Sequence, residues 1–183
     1  MSVTFVVLVA DKPGVLTRVA SLVRRRGFNI ESLTVGHAGT PGMSRITLVV
    51  EADPGAAARI EAHLYRLVDV RSVQNVTNVP TVFRHLALIK VAASAESRSQ
   101  VMQLVDVFRA RVVDVAPDSL IIEITGVDEK IDGLLEILRP FGVLEVAKTG
   151  CLAMTRGAAA RAAGATATPA AAEAVDAGIS FSV

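Results

Sequence analysis

Val3-Thr4-Phe5-Val6-Val7-Leu8-Val9-Ala10-Asp11-Lys12-Pro13-Gly14-Val15-Leu16 holds the change of rhythm that decides the fold. Up to Ala10 the run is apolar and rich in β-branched residues, the composition and length of a strand. Asp11-Lys12-Pro13-Gly14 is turn chemistry, with Pro and Gly as punctuation. From Val15 the period becomes helical. Val15, Leu16, Val19, Ala20, Leu22 and Val23 fall on one face, while Arg18, Ser21, Arg24 and Arg25 fall on the other. Arg24-Arg25-Arg26 puts cations at the negative end of the helix dipole, and Gly27 ends the helix.

Reading outward, Phe28 to Ala38 and Ser44 to Glu51 are strand-like and joined by the Gly39-Thr40-Pro41-Gly42 turn, which makes them a hairpin. Asp53 as cap and Pro54 at the first position open a second helix whose inward face is Ala57, Ile60, Leu64 and Leu67. A last strand runs from Val70 to Thr77. Strand–helix–strand–strand–helix–strand is the split βαβ of ferredoxin-like folds. The order then recurs. His85 to Ala92 reads as a strand, and Glu96 to Ala110 as a helix with Val101, Leu104, Val105 and Phe108 inward. Arg111 to Ala116 and Ser119 to Thr125 form a hairpin about Pro117-Asp118. A helix from Asp128 to Arg139 carries Ile131, Leu134, Leu135 and Leu138 and stops at Pro140, and Gly142 to Thr149 closes as a strand. The expected class is α+β, with two ferredoxin-like βαββαβ modules over residues 1–79 and 80–157. Beyond them, 12 of the 26 residues from 158 to 183 are Ala, interrupted by Gly164 and Pro169, which predicts a disordered tail.

Composition excludes several functions. The 183 residues are 51% apolar and 20% charged, enough to bury a core. A net charge of +1 gives no reason to expect nucleic acid or an anionic membrane as partner. Aromatics are 4% with no Trp, too few for base-stacking surfaces. Mean hydropathy is +0.49, yet no apolar run nears the ~20 residues of a spanning helix. Asp11 and Lys12 come too early for a signal peptide, and Cys151, the single cysteine, has no intrachain partner, so a cytoplasmic location is expected.

Enzyme readings find no support. His37, His63 and His85 lack ligand spacing, so no metal site is expected. There is no Gly-x-Ser-x-Gly elbow, and Cys151 has no activating neighbour in sequence. Gly36, Gly39 and Gly42 sit in a hairpin, where they serve turns rather than phosphate. The chain offers no catalytic constellation.

It does offer a binding turn. Pro13 and Gly14 shape the backbone so that the N–H groups of Gly14, Val15 and Leu16 open the first helix, an anion site suited to a carboxylate. Asp11 places the opposite charge nearby, where an ammonium can sit. Donors beside a carboxylate match the zwitterionic end of a free amino acid. Spacing alone also allows a plainer reading, in which Asp11 caps the helix and Gly14 turns the chain.

Asp11-x-Pro13-Gly14-x-Leu16 in the first turn of a βαββαβ unit resembles the ACT domain, a family of amino-acid-sensing modules. Gly27-Phe28-Asn29-Ile30-Glu31-Ser32-Leu33-Thr34-Val35, with Ser44-Arg45 on the paired strand, resembles the regulatory (small) subunit of acetolactate synthase. Leu67-Val68-Asp69-Val70, Glu145-Val146-Ala147-Lys148-Thr149-Gly150 and Arg156-Gly157 extend the likeness over residues 1 to 157. The resemblance implies a non-catalytic subunit that binds the catalytic subunit, raises its activity and confers feedback inhibition by valine or a related amino acid. Thiamine diphosphate, Mg²⁺ and FAD then belong to the partner and not to this chain. It further implies a homodimer through the amino-terminal module, with the effector held by Asp11, the Gly14-Val15-Leu16 backbone, Asn29 and Ile30. Some members of the family have Asn where this chain has Asp11. Asn29 also admits a purely local role, capping the start of its strand. The alternative function is a free-standing ACT-type sensor acting on another partner.

One prediction concerns residues 158–183. Ile179, Phe181 and Val183, the large apolar side chains near its end, are too few to offset an ordering cost of about 1–2 kcal/mol per residue. Truncation after Gly157 is expected to leave the melting temperature, activation and inhibition unchanged. Loss of activation in a reconstituted assay would contradict it.

Overall fold

Strand formation in the first module follows from the apolar run at the amino terminus. In the computed structural model, which describes residues 1–157, this run is β1 (Ser2–Ala10), with Val3, Phe5, Val7 and Val9 buried on one face. It pairs antiparallel with β3 (Met43–Glu51) and β4 (Val70–Asn75), while β2 (Ile30–His37) pairs with β3. The order β2-β3-β1-β4 leaves β2 and β4 as edges. Helices α1 (Val15–Arg25) and α2 (Pro54–Tyr65) cover a single face, where Val19, Leu22, Ile60 and Leu64 close on Phe5, Ile46 and Leu48.

Local signals set the helix ends. Gly27, at φ 77°, ends α1 in a Schellman motif: its N–H reaches Arg24 at 3.0 Å and that of Phe28 reaches Val23 at 3.3 Å. That motif uses Phe28, so β2 begins at Ile30 and not at Phe28 as the composition suggested. Asp53 caps α2 as expected, its carboxylate accepting the Ala56 N–H at 2.7 Å. This bond holds the Asp53 carboxyl below its ordinary pKa.

The second module repeats the plan. β5 (Thr81–Ala92), α3 (Arg98–Val107), β6 (Arg111–Val115), β7 (Ser119–Gly126), α4 (Asp128–Leu138) and β8 (Val143–Lys148) give the order β6-β7-β5-β8. Its core is Ala87, Ile89 and Val91 against Leu120, Ile122 and Ile124, roofed by Val101, Val105, Ile131, Leu134 and Leu138. Pro140 ends α4 through a 3-10 turn at Arg139–Phe141, and Gly142 at φ 93° redirects the chain.

Two features were not expected. β5 starts at Thr81 and not at His85, and a short strand, β9 (Leu152–Thr155), follows β8. The added part of β5 pairs with β9, from Thr81↔Thr155 to Arg84↔Leu152. This ribbon lies on the helix-free face of the first sheet, where Phe83 and Ala153 pack with Val6 and Val76. Both modules are therefore the expected ferredoxin-like units, tied by a ribbon from the second. The tail expected over residues 158–183 lies outside the described residues.

The expected inner face of α1 needs one correction: Leu16 is 41% exposed whereas Leu22 is 7% exposed. Leu22→Ala is expected to cost about 2–5 kcal/mol in urea unfolding, and Leu16→Ala roughly 1 kcal/mol or less. Equal costs would contradict this assignment of faces.

Candidate functional site

The turn between β1 and α1 is held from three sides. The Ala10 N–H donates to the Asp69 carbonyl at 2.8 Å, the Asp11 N–H to that of Gly42 at 2.9 Å, and the Lys12 N–H to that of Ala10 at 3.0 Å. Gly14 then takes a left-handed conformation, φ 80° and ψ −6°, and α1 starts with no side-chain cap. A Cβ is disfavoured at that φ, which is the physical reason for glycine here. The Val15 N–H makes only a long 3.4 Å contact with the Lys12 carbonyl. Those of Gly14 and Leu16 have no acceptor among the described residues. The positive end of α1 is thus left with donors to spare.

Asp11 does not cap the helix. Its carboxylate accepts the Ser44 hydroxyl at 3.1 Å and lies 3.2 Å from Nδ1 of His37. It remains 45% exposed, so it is oriented by β2 and β3 yet open to a ligand. Arg18, in the first turns of α1, pairs with Asp69, and its guanidinium lies 3.7 Å from where a Cβ on Gly14 would stand. Cationic charge therefore flanks the free N–H groups, and a carboxylate sits across the turn.

Five of the six residues expected to bind an effector line two adjoining spaces within one chain, and the sixth, Gly14, lines neither but forms the turn beside them. Asp11, Val15 and Leu16 line a cavity of about 70 Å³ with Val35, Ser44 and Ile46. Leu16, Asn29 and Ile30 line a groove of about 610 Å³ between α1 and β2, with Ala20, Arg24 and Phe28. Leu16 is the shared wall, which explains its exposure. Asn29 is exposed and its amide has no hydrogen bond among the described residues, so the strand-capping role receives no bond.

Sequence reading missed the support around Asp11. Ser44 and His37 orient its carboxylate, and Arg45, next along β3, points to the opposite face and donates to the Ala153 carbonyl at 2.6 Å. Burial pushes the Arg45 pKa below its ordinary value. The one available signal was an arginine inside an apolar strand, a position that calls for an acceptor.

Other candidate groups lie elsewhere. A cavity of about 390 Å³ between the modules is lined by Glu31, His85, Asp128 and Cys151 among others. Burial, and then the charge of Asp128, push the Cys151 thiol up, away from a reactive thiolate. His85 faces Asp128 at 3.4 Å, while His63 contacts the Arg59 carbonyl at 2.5 Å on α2. Among the described residues no three His, Cys, Asp or Glu side chains converge as metal ligands, and no helix is long and apolar enough to cross a membrane.

Comparison with known proteins agrees with this anatomy. Residues 5–72 match the acetohydroxyacid synthase (AHAS) small subunit-like ACT domain, and residues 84–157 match the family described as the small subunit of acetolactate synthase. A probable acetolactate synthase small subunit from Methanothermobacter thermautotrophicus is 50% identical over 151 residues, covering 82% of this chain and 90% of the relative. The acetolactate synthase small subunit of Mycobacterium bovis is 49% identical over 154 residues, covering 84% and 92%. The crystal structure of the acetolactate synthase small subunit from Thermotoga maritima superposes with a TM-score of 0.81 at 41% identity, covering 86% of this chain and 98% of that one. With both modules matched in order and the whole fold superposed, the chain belongs to the family of acetolactate synthase small subunits.

Proposed function

We propose that this chain is the regulatory subunit of an acetolactate synthase: it activates the catalytic subunit and makes it sensitive to valine or a related branched-chain amino acid. The observation that carries the effector reading is the turn at Gly14. A left-handed glycine starts α1 without a side-chain cap, leaving N–H donors for a ligand carboxylate. Asp11, held by Ser44, faces the same turn and suits the ligand ammonium. The groove beside Leu16 and Ile30 is apolar enough for an aliphatic side chain.

The same reading includes a homodimer through the first module. β2 is an edge strand, and its unpaired groups suit a second copy, which would also wall the groove opened by Asn29 and Ile30. Thiamine diphosphate, Mg²⁺ and FAD are assigned to the catalytic partner, and the work is placed in the cytoplasm. The names of the relatives favour this reading over a free-standing sensor.

The test is reconstitution with the large subunit from the same organism. Activity is expected to rise on adding this chain and to fall again with valine. Two substitutions then isolate the anion site. Gly14→Asp and Gly14→Asn share the left-handed strain of roughly 1 kcal/mol, which Asp and Asn tolerate better than most residues. Only Asp adds charge where the ligand carboxylate should sit. The half-inhibitory valine concentration is expected to rise at least about ten-fold more for Asp than for Asn, because a like charge there costs over ~1.4 kcal/mol. Equal values for the two variants would show that no anion binds at this turn.

A further inference from the structure

Adjacent residues on β3 serve opposite faces of the first sheet. Ser44, buried on the helix side, holds the Asp11 carboxylate at 3.1 Å. Arg45, on the other side, donates to the Ala153 carbonyl of the ribbon at 2.6 Å. A second attachment lies on β2, the strand that starts at Ile30: the Cys151 N–H donates to the Ser32 hydroxyl at 2.7 Å. Gly150 sits so close to β2 that a Cβ would stand 2.5 Å from the Thr34 hydroxyl and 2.9 Å from the Leu33 carbonyl. Both strands that shape the candidate site are thus gripped from behind by residues 150–153. Leu152 and Ala153 belong to β9, which pairs with Thr81–Arg84 at the start of β5, a strand inside the second sheet.

We propose that Arg45 is a positioning residue that couples occupancy of the first-turn site to the second module through its bond to Ala153. The proposal rests on the effector reading above and deepens it. A ligand that draws Asp11 toward its ammonium also draws Ser44. A strand is stiff along its length, so Arg45 moves with its neighbour, and the short bond passes that displacement to β9. The Ser32 and Gly150 contacts resist slippage of the ribbon along β2. Inhibition then depends on this link between the modules, whereas activation in the absence of ligand does not pass through it. Breaking the Arg45 bond therefore separates the two properties.

The experiment compares Arg45→Met, Arg45→Lys and Gly150→Ala. Met keeps the length and apolar stem of the side chain but removes the donor; Lys restores one; Ala at position 150 pushes the ribbon off β2. Valine binding to each free subunit is measured by calorimetry, and activation and inhibition are measured in the reconstituted holoenzyme. For Arg45→Met and Gly150→Ala, the valine dissociation constant and the activation are expected to stay within about two-fold of wild type. The half-inhibitory valine concentration is expected to rise about ten-fold, a value inside the usual span of site-to-site coupling. Arg45→Lys should recover part of the inhibition. Wild-type inhibition in both Arg45→Met and Gly150→Ala would overturn the coupling role. Loss of valine binding together with inhibition would also overturn it, by making Arg45 part of the binding site. Absence of valine binding to the wild-type subunit would instead strike the effector reading beneath the proposal, so the two failures are distinguishable.

Discussion

A four-stranded sheet that packs both helices on one face must find cover for the other. In the first module that uncovered face carries Val6, Val49 and Val76, each buried, and water there would cost about 25 cal/mol for every Å² of apolar surface left exposed. The second module supplies the cover. Its central strand begins early enough to place Phe83 under Val6, and the chain returns after β8 to lay Ala153 alongside. The two modules are consequently joined by packing as well as by peptide, through Val6, Val76, Phe83 and Ala153. The burial of Cys151, the close fit of Gly150 and the acceptor offered to Arg45 all follow from that one requirement.

The candidate site exploits the same sheet from its helix side. Alternation along β3 gives one residue to each face, so Ser44 supports the turn while Arg45 supports the ribbon. A ligand at the turn is therefore never more than one strand away from the second module. The turn itself owes its chemistry to a missing cap: where Asp53 satisfies a helix donor at α2, no side chain among the described residues does so at α1. The same protein thus shows one helix start closed by its own carboxylate, at α2, and others without a side-chain cap, of which that of α1 adjoins the groove beside Leu16.

Much of this was legible in the sequence because it is local. Pro13-Gly14, Gly27 and Asp53-Pro54 act within a few residues, and each ends or begins an element as its chemistry dictates. The periodicities of Val15 to Val23 and of Ile131 to Leu138 likewise need no partner to be read. What escaped is nonlocal. Leu152-Ala153-Met154-Thr155 has no turn signal and is too short for a period; it is a strand only because Thr81 to Arg84 lies beside it. The backbone of Leu16 was expected at the site, but the placement of its side chain escaped for a related reason, since an apolar residue on the expected inner face reads alike whether it fills the core or walls a groove. The six proposed ligand residues were read from motif and resemblance, and the fold places all but Gly14 in two adjoining spaces that share Leu16.

The central claim is that the open start of α1 is where an amino acid acts. Amide hydrogen exchange of the isolated subunit, with and without saturating valine, tests it without any assay of the catalytic partner. The account predicts slower exchange at Gly14, Val15 and Leu16 and at Asn29 and Ile30, with a smaller change at Cys151 and Ala153. Protection confined to the second module or to the cavity around Asp128, with the Gly14 to Leu16 amides unaltered, would contradict it.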